Sequence, residues 1–275
     1  MKFGFVLPNN VGIEDPFDIV SLGVHAETAG FDSLWVNHHV INAGYVRDRL
    51  DQRPYHDALI LLTWLASKTN QARIGTSVLV LPYLHPMVLA RELATLDHLA
   101  QGRLVVGVGV GSLPDENEAL GVSYKTRGAY ADEFLRVLRL LWTEERASFA
   151  GEHFSFDDVV SSPKPLQQPL PMLVVGGNKR AALRRVAELG DGWHPLMLTP
   201  EGVRDRLDTL RAEAERVGRP QVTEHVQVRL DMSQINRGTV EAFAEAGATE
   251  LVLGLSTDDV DAVRREIDLF AGAMF

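Results

Sequence analysis

The sequence of 275 residues contains no cysteine and no long apolar run. Without cysteine, the chain can form no disulfide framework, no zinc–thiolate site and no cysteine nucleophile. No apolar stretch approaches the roughly 20 residues of a membrane-spanning helix. The first segment turns polar after Pro8, which is too early for the apolar region of a signal peptide. We therefore expect a cytoplasmic protein.

Basic residues are also scarce, with 27 Lys and Arg against 37 Asp and Glu and a formal net charge of −10. An acidic balance predicts no nucleic-acid partner, which would need a basic face, and no binding to an anionic membrane. A phosphorylated ligand remains compatible, because backbone N–H groups at a helix start can hold phosphate. The histidines form no i, i+4 pair and no carboxylate-rich cluster, so we expect no metal site.

Short apolar runs alternate with amphipathic segments along the whole chain. Such alternation is typical of a parallel sheet, and eight strand–helix units close a barrel. We predict one α/β domain over residues 1–275, a (β/α)8 TIM barrel. An open doubly wound sheet would need a glycine-rich turn after the first strand, where Pro8-Asn9-Asn10 stands. The predicted strands are Phe3–Leu7, Ser33–Val36, Ile74–Leu81, Leu104–Val110, Met172–Val175, Gly192–Met197, Glu224–Leu230 and Glu250–Leu255.

The segment 147–171 is longer than a barrel connection requires. Residues 147–156 predict a hairpin that turns at Gly151-Glu152, and a proline-rich stretch follows. We interpret the segment as a small insertion after strand 4, with a lid as the alternative.

In TIM barrels the working site is built at the C-terminal ends of the strands. The second strand is followed by His38 and His39, which either contact a ligand and transfer a proton or are ordinary polar loop residues. We call the open end of the barrel, at the C-terminal ends of its strands, the mouth. Adjacent strand residues point to opposite faces, so only one of the two histidines is expected to face the mouth. Glu116, after the fourth strand, is either an acid–base group or a solvated loop carboxylate.

Small residues mark the third and fourth strands. Thr76 and Ser77 indicate either tight interior packing or close approach to a flat ligand. Gly107, Gly109 and Gly111 remove side chains from one face, which makes room for a ring or for another backbone. Their spacing does not match a dinucleotide-binding fingerprint.

The turn after the fifth strand is the strongest single indication of a site. Gly176 and Gly177 let backbone N–H groups turn toward an anion, and the helix that follows adds its positive N-terminal end. Lys179 and Arg180 either add charge or are solvated first-turn residues, and a plain strand-to-helix turn is the alternative to a phosphate site. His194, on the sixth strand, either faces the mouth or is a satisfied interior histidine.

Taken together, these motifs resemble the bacterial luciferase-like superfamily, and most of all the branch that uses the deazaflavin coenzyme F420. The resemblance covers nearly the whole chain and implies the same barrel. Its motifs are weak alone but specific in their order and spacing. They are Gly30–Val36 with the two histidines, Ile74–Leu79, Gly102–Leu104, Gly107–Gly111, Arg127-Gly128, Leu141–Thr143, the Gly151…Phe154 hairpin, Pro163–Pro165, Val175–Gly177 and Gly190–Trp193.

The resemblance also implies residue roles. It places Ser77 and Val78 where many members have a non-prolyl cis peptide behind the ring, and it places Gly176 to Asn178 in the phosphate-holding turn. Gly111 and Asp115 match positions beside the ring and tail of the cofactor. The predicted cofactor-binding residues are His38, Thr76, Ser77, Val78, Gly109, Gly111, Asp115, Gly176, Gly177, Asn178, Lys179 and His194.

The sequence departs from its relatives at three positions. Many members have an Asp-His pair where this chain has His38-His39. A sugar-phosphate-oxidising branch has a glutamate where Ser112 stands and a tryptophan near the place of Ala43. That substrate is therefore not predicted.

The resemblance implies an F420-dependent oxidoreductase that transfers a hydride between the deazaflavin and a small organic substrate. His39 is predicted to donate or accept the proton, with His38 or Glu116 assisting. Two alternatives stay open: an FMN-dependent monooxygenase that uses reduced flavin and O2, and a non-catalytic flavin-binding protein on the same fold. Because members of the family often pair through helices, we also expect a homodimer.

Overall fold

The computed structural model describes residues 1–275, and its main sheet is a nearly closed parallel barrel. The barrel strands, labelled in chain order, are β1 Lys2–Val6, β2 Ser33–Val36, β3 Arg73–Thr76, β4 Leu104–Gly109, β5 Met172–Gly176, β6 Gly192–His194, β7 Gln227–Asp231 and β8 Glu250–Gly254. The strand order around the barrel is β7-β8-β1-β2-β3-β4-β5-β6. Backbone hydrogen bonds of 2.8 Å from Trp193 to His225 and from Arg229 to Pro195 join β6 to β7. The predicted (β/α)8 barrel is confirmed.

The helices cover the outside of the sheet. The first begins where the Asp15 carboxylate accepts a hydrogen bond from the Phe17 N–H, and it ends at Gly30 in the left-handed conformation. No helix is both long and apolar enough to span a membrane. The helices are Pro16–Ala29, Gly44–Leu50, Ala58–Ala66, Pro86–Leu99, Pro114–Ala119, Arg127–Thr143, Arg180–Leu189, Pro200–Arg216, Arg237–Glu245 and Val260–Met274.

Three predicted strands were too long. The third is interrupted after Thr76, and a separate short strand, Leu79–Val80, pairs with β4 on its own. The sixth ends at His194, since Pro195 has no N–H to continue the ladder. The seventh begins at Gln227 because the residues before it form a short 3-10 turn, Pro220–Glu224.

Apolar side chains from five strands pack together inside the barrel, and Trp35 is fully buried among them. Beside them the buried carboxylate of Glu250 accepts hydrogen bonds from Ser33 and from Arg73, the latter at 2.6 Å. In TIM barrels the site lies at the other end of the barrel, at the C-terminal ends of the strands.

The segment after β4 forms the predicted hairpin, with strands Ala147–Ala150 and Ser155–Val159. The Glu133 carboxylate, on the helix before it, accepts hydrogen bonds from the backbone N–H groups of residues 152–154. Phe154 packs into the main core. This anchoring supports the insertion and argues against a mobile lid.

Candidate active site

The most defined pair at the mouth is His39 with Glu116. The Nδ1 atom of His39 lies 2.6 Å from Glu116 Oε2, and the Glu116 side chain is fully buried while His39 is 17% exposed. The other carboxylate oxygen accepts from the Val40 N–H at 2.7 Å. Burial alone would raise the pKa of Glu116, but the hydrogen bonds from His39 and Val40 outweigh it, and the pKa is lowered.

Glu116 is therefore not the solvated loop carboxylate that was one of the two interpretations. It lies in the short helix Pro114–Ala119, which the sequence analysis missed because six residues are too few to show a helical period. Because an ionised Glu116 accepts from Nδ1, the ring proton of His39 is on Nδ1 and its Nε2 is an acceptor. The Tyr45 hydroxyl lies 3.4 Å from that Nε2 atom.

The expectation that only one histidine would face the mouth assumed that both continue the strand, but the chain leaves strand geometry after Val36. His38 is buried, whereas the side chain of His39 is 17% exposed. The Nδ1 atom of His38 accepts a hydrogen bond of 3.2 Å from the Val80 N–H. Burial lowers the pKa of His38 to about 4, so the ring is neutral near pH 7 and its proton is on Nε2.

The floor of the mouth is the chain between β3 and the Leu79–Val80 strand. The Ser77–Val78 peptide bond is cis, at the position that the resemblance implied. The Val78 side chain lies over two glycines: an added Cβ would come within 2.7 Å of it at Gly109 and within 3.1 Å at Gly176. Of the two interpretations of the glycine-rich strand, the structure therefore favours room for another segment of the protein.

Thr76 and Ser77 have different environments. Thr76 is fully buried, and its hydroxyl donates to the Gly107 carbonyl at 2.8 Å, so it packs the interior. Ser77 Oγ lies 2.9 Å from His194 Nε2 and accepts from Arg229 Nη1 at 3.2 Å. His194 is an interior histidine stacked on Trp35, with ring centroids 5.2 Å apart, and its Nδ1 has no partner.

The turn after β5 has an open helix start. Gly177 adopts φ 112°, and no side chain caps the helix that begins at Arg180. Asn178 is held by two hydrogen bonds with the Leu196 backbone, of 2.8 and 3.1 Å. Lys179 is exposed, whereas Arg180 pairs with Glu213 at 3.2 Å. Backbone groups are therefore better placed than these two cations to receive an anion.

The remaining predicted positions lie on the β4 side of the mouth. Gly111 has φ 79°, and a Cβ there would lie 2.9 Å from Val80 and 3.1 Å from the Tyr83 hydroxyl. Asp115 is exposed next to Gly44. All predicted site residues thus lie at the C-terminal ends of β2 to β6 or in the segments that follow them.

Several polar residues of the mouth were not predicted. Arg229 is on β7, and Asn37 and two tyrosines, Tyr45 and Tyr55, follow β2. Burial raises the pKa of Tyr55, and its hydroxyl has no partner. One signal was available: Arg229 alternates with Val228 and Leu230, so its side chain lies on the face of β7 opposite to theirs.

The neutral, buried histidines predict a stability that declines in mild acid. Burial lowers the pKa of His194 to about 3 and that of His38 to about 4, against 6.5 for an unperturbed histidine. As the pH falls below 6.5, the unfolded chain takes up protons that the folded chain does not. The free energy of unfolding should therefore fall by up to about 1.4 kcal/mol per pH unit for each histidine.

Thermal unfolding at pH 7.5, 6.5 and 5.5 measures this decline. His194→Gln should give a shallower decline than the unchanged protein. His225→Gln, at an exposed position, is the matched control and should leave the slope as it is. Equal slopes for all three proteins would contradict the assignment.

Comparison with known proteins places this geometry in a family. The luciferase-like monooxygenase family model matches residues 1–264. An uncharacterized protein of Mycobacterium tuberculosis is 35% identical over 215 residues, which are 75% of this chain and 73% of that protein. The F420-dependent glucose-6-phosphate dehydrogenase of Kineococcus radiotolerans is 35% identical over 183 residues, 65% of this chain. The chain spans about half of that dehydrogenase, 52% of its length.

Among solved structures, an F420-dependent secondary alcohol dehydrogenase superposes with a TM-score of 0.83 at 19% identity, covering 99% of this chain and 98% of that one. A monooxygenase from Streptomyces bottropensis superposes with a TM-score of 0.81 at 22% identity, covering 100% and 98%. These two likenesses concern the fold. Together with the family match over nearly the whole sequence, they lead to one conclusion: the chain belongs to the luciferase-like monooxygenase family.

Proposed function

We propose that the protein is an F420-dependent oxidoreductase that transfers a hydride between the deazaflavin and a small organic substrate. The observation that carries the proposal is the His39–Glu116 pair at the mouth of the barrel, in which Nδ1 of His39 is held by the carboxylate and Nε2 has only the Tyr45 hydroxyl as a hydrogen-bond partner. A relative with 35% identity that is named as F420-dependent supports the choice of coenzyme. An FMN-dependent dimethylsulfone monooxygenase of Pseudomonas putida is 28% identical, and FMN is therefore the alternative to be tested.

The residues present suit a deazaflavin with a phosphate on its side chain. Gly177 at φ 112° and the uncapped helix start offer backbone N–H groups to the phosphate. Val78, backed by two glycines, offers an apolar surface to a flat ring, and the Nε2–H of neutral His38 is a donor for a ring carbonyl. When bound, the coenzyme supplies a carbon that accepts or releases hydride.

The protein's own part is to orient the reactants and to move a proton. His39 Nε2 is the site that takes the proton from a substrate hydroxyl or returns it to a carbonyl. Glu116 holds the ring through Nδ1 and stabilises its protonated form by charge. Tyr45, 3.4 Å from Nε2, can exchange a proton with solvent.

A substrate screen tests the assignment. The protein with bound F420 is mixed with small alcohols, and with reduced coenzyme it is mixed with aldehydes and ketones, while the absorbance of the deazaflavin is followed. We expect turnover in at least one class. Coenzyme binding without turnover across the whole panel would favour a non-catalytic binding protein.

The phosphate turn yields a mutational prediction. Gly177→Asp should weaken F420 binding by about tenfold or more, because it places a carboxylate and a Cβ where the phosphate is proposed to lie. Gly218→Asp is the matched control: that glycine also has positive φ, with no atom within 4 Å of an added Cβ. It should leave the affinity unchanged in a fluorescence titration. Equal affinities for both variants would refute the phosphate assignment.

We also propose a homodimer. An apolar patch of Phe17, Ile60, Trp64 and Leu99 lies across three neighbouring helices, with Ile60 73% exposed. A patch of this kind is typical of a protein interface. Ile60→Glu should convert a dimer into a monomer in light scattering, whereas Leu269→Glu, at a position that is 66% exposed on another helix, should not. A dimer that persists in Ile60→Glu would exclude this patch as the interface.

A further inference from the structure

Arg229 extends from β7 across the floor of the mouth. Its Nη1 atom donates to Asn37 Oδ1 and, at 3.2 Å, to Ser77 Oγ. Asn37 follows β2 and Ser77 follows β3, which lie across the barrel from β7 in the strand order. The guanidinium therefore lies inside the barrel, under the open mouth.

The charge of Arg229 has no counter-ion in the protein. Both of its hydrogen-bond partners are neutral, and no carboxylate forms an ion pair with it. The other groups that act on it are Arg49, which is also positive, and the neutral phenols of Tyr55 and Tyr45. Because enclosed charges in proteins are normally paired, an unpaired cation in a binding mouth indicates an anionic ligand.

The unused donors of Arg229 lie along one edge of the guanidinium. Nη1 donates to Asn37 and Ser77, whereas Nε and Nη2 donate to no protein atom. Nη2 lies beside Gly254 at the end of β8, where an added Cβ would come within 3.2 Å of it. The Nε–Nη2 edge presents two parallel N–H groups, the geometry that binds both oxygens of a carboxylate.

We propose that Arg229 is the anion-binding group of the mouth and that it holds a carboxylate through its Nε–Nη2 edge. The carboxylate belongs either to the substrate or to the coenzyme. If the carboxylate belongs to the substrate, the substrate is a small organic acid. That case rests on the proposed function and specifies its substrate class.

Arg229 stays charged despite its burial, and its hydrogen bonds hold it in one orientation. Burial lowers the pKa of Arg229 to about 10, which leaves the guanidinium charged at neutral pH. Burial, and then the charge of Arg229, lower the pKa of His194, so that ring is neutral. Ser77 can thus accept from Arg229 and donate to His194 Nε2, which fixes one side of the guanidinium and leaves the other side for a ligand.

Calorimetric binding of benzoate and of benzamide tests the inference without coenzyme. The two probes share a shape and differ in charge. We expect benzoate to bind the unchanged protein more tightly than benzamide, and to lose about tenfold or more in affinity in Arg229→Met. Arg219→Met is the control, because that side chain bonds the Ala187 and Gly190 carbonyls, away from the mouth. It should bind benzoate normally.

A second arm, F420 titration of the same variants, distinguishes the sources. Loss of benzoate affinity with unchanged F420 affinity assigns the carboxylate to the substrate. A tenfold or greater loss of F420 affinity in Arg229→Met assigns it to the coenzyme. Unchanged affinity for both ligands would overturn the inference.

Two further results complete the test. If Arg229→Met does not fold, Arg229→Lys is the deciding variant, because lysine keeps the charge but lacks the two parallel donors. Affinities for benzoate and F420 that both equal those of the unchanged protein would then overturn the inference. Arg229-dependent benzoate binding in a protein that does not bind F420 would support the anion site and refute the proposed function.

Discussion

His39→Asn is expected to reduce the turnover number by about 10²–10⁴ while the affinity for F420 stays nearly unchanged. The reason is positional: Glu116 holds the ring through Nδ1 at 2.6 Å, and Nε2 has only the Tyr45 hydroxyl, at 3.4 Å, as a hydrogen-bond partner. Asparagine keeps a polar group of similar reach but cannot exchange a proton. Rapid-mixing absorbance of the deazaflavin measures the rate, and fluorescence titration measures the affinity.

Glu116→Gln provides the matched comparison. The amide can still hold the His39 ring, but it no longer stabilises a positive imidazole, so the loss of turnover should be smaller than in His39→Asn. The double variant should be no slower than His39→Asn alone, because Glu116 acts through the histidine. Losses that multiply in the double variant would show that Glu116 has a separate role.

Gly107→Ala is expected to destabilise the fold by more than about 3 kcal/mol, the largest stability effect that we predict. A Cβ at Gly107 would lie 1.8 Å from the backbone oxygen of Thr76 and 3.0 Å from its carbonyl carbon. Both atoms belong to β3, which is fixed between β2 and β4, so neither can move without breaking the sheet. The substitution should also distort the site, because the segment that forms the floor of the mouth begins directly after Thr76.

Gly272→Ala is the control for this prediction, since a Cβ at that helical glycine meets nothing within 4 Å. Alanine favours a helix over glycine, so the control should be neutral or slightly stabilising. Urea unfolding followed by circular dichroism compares the three proteins. A Gly107→Ala variant as stable as the unchanged protein would contradict the packing described for β3 and β4.

The barrel could be predicted because its signals are local. Each strand is a short apolar run, and each helix has its own start and stop residues, such as Asp15 and Gly30. The turn after β5 and the two histidines could be assigned to the C-terminal ends of the strands because a TIM barrel brings all of these ends to one face. The strand end at Thr76 was missed because it depends on an interruption that an apolar run does not reveal, whereas Pro195 was a readable signal for the end at His194.

The chemistry of the site depends on contacts between distant residues. His39 and Glu116 are 77 residues apart, and Arg229 and Ser77 are 152 apart. No local pattern shows that Glu116 is buried against a histidine, or that an arginine on β7 crosses the barrel without a counter-ion. Both facts follow from closure of the barrel. The sequence predicts the barrel but not the contacts of individual side chains inside it.

Equilibrium titration of the protein with F420 and, separately, with FMN tests the central claim most directly. Fluorescence of each cofactor reports its binding, and competition between the two reports whether they share the mouth. We predict micromolar or tighter binding of F420, lost in part in Gly177→Asp, with FMN weaker by about tenfold or more. Micromolar binding of FMN without binding of F420 would contradict the account and favour a flavin-dependent monooxygenase.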